Sequence, residues 1–191
     1  APETLMYSDS PDWFAARARG MHPEELVLAS TLATLVIPHG GRVLAEEQLH
    51  AAVSPPDYAF SETVVVSTDA EHAHQLLAQI PADDRVECEP DSLDQLFVLC
   101  TNDGAPLAMS GWRLFHEVVA DIRVVVPRSN RNHSLGAYAV AVAMTEAYDL
   151  GLVPQARVQA GNAPALQLAN KLGFHLLGTV SAAYPGGNGQ P

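Results

Sequence analysis

The residues best suited to chemistry stand in one short segment that follows a run of valines. Residues 124–126 are all valine, Pro127 stops the run, and a polar loop then leads into an apolar stretch typical of a helix. The backbone N–H groups of the first helical turn have no partner within the helix, and together with the helix dipole they form a site for a pyrophosphate. Ser134 and Gly136 are small enough to let phosphate oxygens approach the backbone. The segment therefore predicts a phosphate site where a strand meets a helix.

A second segment downstream reads as a helix with a signal at each end. Asn162 is a predicted N-cap, residues 163–172 form the helix, and Gly173 fits its C-terminal cap. Taken alone, this segment is an ordinary capped helix, just as a polar loop with a glycine often precedes a helix for no chemical reason. The two segments become informative through their order, with a helix and a short strand between them.

Together the two segments resemble the GCN5-related N-acetyltransferase (GNAT) family. The phosphate loop of that family reads Arg/Gln-x-x-Gly-x-Gly/Ala, and Arg131, Ser134 and Gly136 take those places. Its later helix commonly runs from Asn-x-x-Ala to Lys-Leu-Gly-Phe, and the matching residues are Asn162, Ala165, Lys171, Leu172, Gly173 and Phe174. A hairpin signal at residues 102–104 looks like the turn between the family's second and third strands. The resemblance covers roughly residues 95–180.

The resemblance implies that the chain binds acetyl-CoA or another acyl-CoA. It places the pantetheine arm along the valine strand and the pyrophosphate on the amides of Leu135, Gly136 and Ala137. The residues that it assigns to cofactor binding are Val124, Val125, Val126, Arg131, Asn132, His133, Ser134, Leu135, Gly136, Ala137, Asn162, Ala165, Leu168, Ala169 and Lys171.

The resemblance also implies direct acyl transfer to an amine. The acceptor, a small molecule or a peptide, binds together with the acyl-CoA, and its nitrogen attacks the thioester. A strand N–H polarises the thioester carbonyl as it becomes an oxyanion, and positioning supplies much of the acceleration.

The general base is predicted among residues near or on the strand that lines the cleft. His116, Glu117 and Asp121 are the candidates, and side-chain alternation along a strand favours Glu117 and Asp121 as catalytic residues. Three alternatives stay open: Asp121 pairs with Arg123, His116 is an ordinary solvated side chain, and a water relays the proton.

Three departures from the family pattern bear on function. Ser134 replaces the first glycine of the loop, the loop is one residue longer between Pro127 and Arg131, and Ala169 stands where many members carry a tyrosine that protonates the departing thiolate. Two alternatives to an N-acyltransferase therefore stay open. One is a CoA-binding sensor or interaction module, and the other is an acyl-CoA decarboxylase or hydrolase on the same scaffold.

The predicted helices and strands indicate an α/β (α+β) fold class. Together with the resemblance, they imply a three-layer αβα GNAT-like fold with a mixed, splayed central sheet. Predicted strands are 62–68, 85–88, 96–101, 106–115, 118–126, 156–160 and 174–180, and predicted helices are 70–80, 135–150 and 163–172. Residues 23–37 read as a helix followed by a strand or a continued helix, and 42–51 as a helix or a strand.

We expect residues 1–94 to form an N-terminal part that shapes the acceptor site or a homodimer interface. We also expect residues 95–184 to form the acyl-CoA-binding core and residues 185–191 to form a flexible tail.

The charge balance narrows the classes of partner. With 10 basic and 22 acidic residues the formal net charge is −12, which argues against nucleic acid and an anionic membrane surface. The same charge would attract a cationic amine, or it serves solubility alone. Neither an apolar run of about 20 residues nor a signal peptide is visible. Two cysteines, Cys88 and Cys100, are too few for a disulfide framework, which favours a cytoplasmic location. Glu71, His72 and His74 lack the spacing of metal ligands, so we predict no metal site.

Overall fold

The computed structural model of the chain describes residues 11–59, 63–81, 89–131 and 133–184. Its helices are α1 (Pro11–Arg17), α2 (Pro23–Leu26), α3 (Ala29–Val36), α4 (Ala70–Ala78), α5 (Leu135–Asp149) and α6 (Ala163–Lys171). Its strands are β1 (Arg42–Val43), β2 (Glu47–Ala52), β3 (Val65–Ser67), β4 (Gln95–Cys100), β5 (Pro106–Phe115), β6 (Val119–Val125), β7 (Val153–Gln159), β8 (Phe174–Val180) and β9 (Ala183–Tyr184).

Seven strands form one mixed sheet in the order β3-β4-β5-β6-β7-β2-β8. From β3 to β6 each strand is antiparallel to its neighbour, whereas β6 and β7 are parallel. A parallel pair requires a crossover connection, and α5 supplies it between β6 and β7. The crossover places the beginning of α5 at the end of β6, where the polar loop of the sequence lies.

Helices cover both faces of this sheet. On one face, Leu76 and Leu77 of α4 pack with Val98 and Met109 of the sheet. On the other face, α5 packs with buried strand residues such as Phe97, and α6 adds further apolar side chains to the same cluster. The predicted three-layer αβα arrangement with a mixed sheet is therefore confirmed.

Alanine residues let α5 lie close to the sheet. Ala139, Ala141 and Ala143 have no exposed surface. The buried Ser110 hydroxyl of β5 donates to the Ala139 carbonyl at 2.6 Å, so this polar group is satisfied inside the core. The contact fixes the position of the helix whose first turn lies at the candidate site.

The chain divides into two compact units. The first unit comprises residues 1–48, 159–161 and 178–191. It contains α1 to α3, the antiparallel pair of β1 and β9, and a core around Leu35 and Val36. The second unit comprises residues 49–158 and 162–177, and it contains most of the large sheet with α4, α5 and α6. The boundary that we predicted at residue 94 lies inside the second unit.

The helix ends downstream of residue 95 follow local signals. The Asn162 side chain accepts a hydrogen bond from the Ala165 amide at 3.2 Å, which confirms the predicted N-cap of α6. Gly151 and Gly173, just after α5 and α6, have φ values of +74° and +80°, a conformation that glycine adopts without strain.

The strand predicted for residues 118–126 is β6.

The strand predicted for residues 156–160 begins earlier, at Val153, so this prediction was wrong at its start. Pro154 lies within β7, opposite Ala120. The proline is tolerated because the neighbouring Val153 amide donates to the Val118 carbonyl at 2.9 Å, so the ladder continues around the missing N–H.

The upstream segments resolve the alternatives that the sequence left open. Residues 23–37 continue as helices, ending in a 3-10 turn (Ile37–His39), and do not become a strand. Residues 42–51 form strands instead of a helix. The strand predicted for residues 62–68 is the shorter β3, and the start of that range lies outside the described residues. The strand predicted for residues 85–88, with Cys88, also lies outside them.

The described part of the chain lacks two features that would indicate other functions. It contains no helix that is both long and apolar enough to cross a membrane. It also contains no cluster of His, Cys, Asp and Glu residues suited to a metal ion.

Burial raises the pKa of the Cys100 thiol, which disfavours the reactive thiolate.

Candidate active site

The parallel strands β6 and β7 separate partway along their length. Within residues 119–125 and 153–159, all of them described, the register joins Val119 with Val153, Ala120 with Pro154, and Asp121 with Gln155. Both strands continue beyond this last pair, β6 to Val125 and β7 to Gln159. The sheet therefore opens into a fork, and an extended ligand can pair with strand edges that open in this way.

The first turn of α5 lies directly after the loop that follows β6. Ser134 precedes the helix in the left-handed conformation, with φ +59° and ψ +6°. The Tyr138 amide donates to the Ser134 carbonyl at 3.0 Å, so the amides of residues 135–137 come before the helical ladder. A phosphate site would use these amides, and its presence here stays a prediction. Asn132, which belongs to the same loop, lies outside the described residues.

Side chains of the loop tie it to the ends of the strands. The Arg131 Nε donates to the Val126 carbonyl at 3.2 Å. The Asn130 amide group donates to the Leu107 carbonyl at 2.9 Å. These two bonds hold the loop against β5 and the end of β6, which orients the first turn of α5.

Three of the predicted cofactor segments meet at Gly136. A Cβ atom on this glycine would lie 3.4 Å from Val126 Cγ2 and 3.7 Å from Leu168 Cδ2. Both are ordinary van der Waals distances, so the end of β6, the first turn of α5 and one face of α6 line the same narrow space. The sequence could not show this meeting, because Leu168 lies 32 residues after Gly136.

The predicted cofactor residues that the structure describes differ in exposure. Exposed are Arg131, His133, Ser134, Asn162 and Lys171; half-buried are Val124, Val126, Leu135, Gly136, Ala165 and Leu168; buried are Val125, Ala137 and Ala169. Val125 packs in the cluster beneath α4, and Ala169 in the cluster beneath α5. At these three positions less than a tenth of the whole residue is exposed.

Asp121 lies at the branch point of the fork and forms an ion-pair cluster. Its Oδ2 accepts from Arg123 Nη2 at 2.9 Å and from Arg157 Nη2 at 2.7 Å. Its side chain is 7% exposed, and Oδ1 is buried without a hydrogen-bond partner among the described residues. The pairing with Arg123 was one of the alternatives in the sequence, whereas the contribution of Arg157 from β7 was not visible there.

Glu117 and His116 form the tip of the hairpin between β5 and β6. Both are exposed, with φ values of +61° and +50°. The Val118 amide donates to the Phe115 carbonyl at 3.3 Å, which closes a turn whose two central residues have positive φ. A turn of this kind matches the twist of the strands, which accounts for the unusual backbone. Because β6 begins at Val119, Glu117 precedes the strand and does not alternate with Asp121 along it. The tip also lies at the end of β6 opposite the polar loop.

Tyr58 is a residue of this region that the sequence did not indicate. Its hydroxyl donates to the Ser134 carbonyl at 3.3 Å, and its ring lies 6.0 Å from that of Tyr138. Lys171 Nζ lies 5.7 Å from the centre of the same ring. Tyr58 thus contacts the loop, α5 and α6, although it stands 76 residues before Ser134.

Ser134→Gly should raise the free energy of unfolding by about 0.5–1 kcal/mol. The left-handed conformation costs a non-glycine residue about 1–2 kcal/mol, and the greater flexibility of unfolded glycine offsets part of the gain. Equilibrium urea unfolding measures the change. Ser129→Gly, in the right-handed 3-10 turn of the same loop, is the matched control and should lower stability slightly. A loss of stability in Ser134→Gly would contradict this explanation.

Comparison with known proteins agrees with this geometry. The sequence model of the acetyltransferase (GNAT) family matches residues 65–174, which is more than half of the chain. No curated protein matches the sequence. The matched range runs from β3 to the start of β8, so Tyr58 lies outside it.

Solved structures show the same fold. A GNAT-family protein from Novosphingobium aromaticivorans has a TM-score of 0.60 at 21% identity, over 75% of this chain and 66% of that one. A GCN5-related N-acetyltransferase from Kribbella flavida has a TM-score of 0.57 at 24% identity, over 82% and 65%. A tandem GNAT protein of clavulanic acid biosynthesis, solved without acetyl-CoA, has a TM-score of 0.55 at 13% identity, over 81% and 58%.

The chain thus spans less than two thirds of the length of each of these structures. The family match rests on the segment that contains the forked strands, the polar loop and the first turn of α5. The chain belongs to the acetyltransferase (GNAT) family.

Proposed function

We propose that the chain is an acyl-CoA-dependent N-acyltransferase that uses acetyl-CoA and acts on a small-molecule or peptide amine. The observation that carries the proposal is the fork between β6 and β7 next to the first turn of α5. An acyl-CoA carries an extended arm and a pyrophosphate, and these two features need a strand edge and a group of amides respectively.

The residues present fit such a cofactor. The helix start has Gly136, whose missing side chain leaves space beside Val126 and Leu168. The amides of Leu135, Gly136 and Ala137 would hold the pyrophosphate, and the edge of β6 at residues 122–125 would hold the arm. When bound, an acyl-CoA supplies an activated acyl group as a thioester. Every other contribution to the reaction has to come from the chain and the acceptor.

The chain's own residues would bind, orient and deprotonate the amine. With a net charge of −12, the protein attracts a cationic acceptor. We assign Asp121 as the first candidate for the general base, because it lies at the branch point of the fork and its buried Oδ1 has no hydrogen-bond partner among the described residues. Glu117, at the exposed hairpin tip, is the second candidate. As the new N–C bond forms and the C–S bond breaks, the amine proton passes to the base.

Departure of the thiolate does not depend on a tyrosine of α6. Ala169 is buried and cannot donate a proton, but a thiol is a stronger acid than an ammonium ion, so its anion leaves without help. Ala169 is also the observation that favours the second candidate function, a module that binds CoA without catalysis. A cytoplasmic location accompanies the proposal, on the evidence of the two cysteines.

Calorimetric titration with acetyl-CoA and with free CoA tests the cofactor site. We expect saturable binding of both ligands, followed by release of free thiol when an effective amine from a panel is added. Binding without thiol release from any amine favours the non-catalytic module. Thiol release without acylated product favours a hydrolase. Absence of binding to the folded protein contradicts the acyltransferase proposal.

A further inference from the structure

Ser134 occupies a position where the backbone favours glycine. Its φ of +59° is left-handed, and the amides proposed to bind pyrophosphate follow it directly. A serine that relaxes to a right-handed or extended conformation would turn these amides away from their present direction. Something in the chain must therefore offset the conformational cost, which is about 1–2 kcal/mol for a residue other than glycine.

Tyr58 makes the contact best placed to do this. Its hydroxyl donates to the carbonyl of Ser134 itself, at 3.3 Å, so the bond acts on the peptide group whose orientation is at stake. The ring is held from two sides, by Tyr138 at 6.0 Å between centroids and by the Lys171 ammonium at 5.7 Å. A half-buried ring between α5 and α6 has little freedom, so its hydroxyl is directed at the loop.

The ionisation of Tyr58 is consistent with a donor. Burial first, and then the neighbouring Tyr138, raise the pKa of Tyr58 above its ordinary value. The phenol is therefore protonated at neutral pH and retains the hydrogen that it donates.

We infer that Tyr58 is a positioning residue of the cofactor site, one that holds Ser134 in its left-handed conformation and so keeps the first amides of α5 directed at the pyrophosphate. The inference rests on the proposed function. It gives the segment before the family-matched region a role in cofactor binding: a hydroxyl supplied by Tyr58 replaces the conformational freedom that glycine supplies elsewhere in the family.

Tyr58→Phe tests the inference by removing the hydroxyl and keeping the ring. Because a smaller fraction of the protein then has the competent loop, the dissociation constant for CoA should rise by about three- to ten-fold, the effect of one net hydrogen bond. The kcat at saturating acetyl-CoA should stay within about two-fold, since the hydroxyl acts on binding and not on the reacting atoms.

The same change in a Ser134→Gly background separates positioning from direct contact. Glycine adopts the left-handed conformation without help, so Tyr58→Phe should then change CoA affinity by less than about two-fold. An equal loss in both backgrounds would mean that the hydroxyl touches the ligand, and it would overturn the positioning role. Unchanged affinity in Tyr58→Phe alone would overturn it as well.

Tyr148→Phe is the matched control. It removes a phenol hydroxyl from the C-terminal half of α5, where that group is buried without a partner among the described residues. CoA affinity should not change. A loss equal to that of Tyr58→Phe would show a general effect of packing and would contradict the inference.

Amide NMR signals of residues 135–137 in the unliganded protein test the inference without any ligand. Tyr58→Phe should broaden them by conformational exchange, and Ser134→Gly combined with Tyr58→Phe should restore them. Sharp signals in Tyr58→Phe would overturn the positioning role. If the unaltered chain does not bind CoA, the proposed function fails, while these signals still decide whether Tyr58 orders the loop.

Discussion

Gly136→Trp should weaken the binding of acetyl-CoA by at least about 100-fold, equivalent to about 2.7 kcal/mol of binding free energy. The glycine faces the space between Val126 and Leu168, whose nearest side-chain atoms would lie 3.4 and 3.7 Å from a Cβ at this position. An indole ring must therefore enter the space assigned to the cofactor. Steric exclusion, and not loss of a contact, is the cause. Calorimetric titration measures the affinity, and circular dichroism with thermal unfolding checks that the variant is folded.

Gly136→Ala is the matched control for this prediction. Its Cβ fits at ordinary contact distances, and replacing glycine by alanine within a helix is favourable by up to about 1 kcal/mol. We expect affinity within about three-fold of the original protein and equal or higher stability. If Gly136→Trp binds as tightly as Gly136→Ala, the assignment of this loop to the pyrophosphate is wrong.

Asp121→Asn should lower kcat by about 100-fold or more, the range found when a positioned general base is removed. Asparagine keeps the shape of the side chain but cannot accept the amine proton. Binding of acetyl-CoA should change by less than about three-fold, because Asp121 lies at the branch point of the fork and not at the start of α5. Initial rates of thiol release, measured with the best amine of the panel, give the result.

Controls must separate loss of a base from loss of structure. Removing the carboxylate leaves two guanidiniums without their anion, and breaking a buried ion pair costs about 3–5 kcal/mol. Rates are therefore compared well below the unfolding temperature of each variant, with Glu146→Gln on the exposed face of α5 as a neutral carboxylate control. If Glu117→Gln loses activity and Asp121→Asn retains it, the base is at the hairpin tip and our first assignment fails.

Much of the fold was accessible from the sequence because local interactions produce it. The Asn162 cap, the left-handed glycines after α5 and α6, and the apolar helix α5 depend on residues within a few positions of one another. The polar loop before α5 is similar, since the spacing of Arg131, Ser134 and Gly136 places a loop directly before a helix. For these features, interactions between neighbouring residues decide the local structure, and the folded chain has that same local structure.

Contacts between residues that are distant in the chain could not be predicted from local sequence signals. The strand predicted from residue 156 begins at Val153 and includes Pro154, because the parallel ladder continues through the neighbours of the proline. Arg157 completes the ion-pair cluster of Asp121 across 36 residues. Tyr58 reaches the Ser134 carbonyl across 76 residues.

The sequence by itself determined the class of the fold, the ends of its main helices and the place of the polar loop before α5. Only the tertiary structure decided that β6 and β7 separate after Asp121, that the carboxylate there is shared by two arginines, and that a tyrosine from an upstream segment supports the loop. The reason is physical: caps and turns are made by neighbouring residues, whereas strand pairing and side-chain clusters form only when the packed core brings distant residues together.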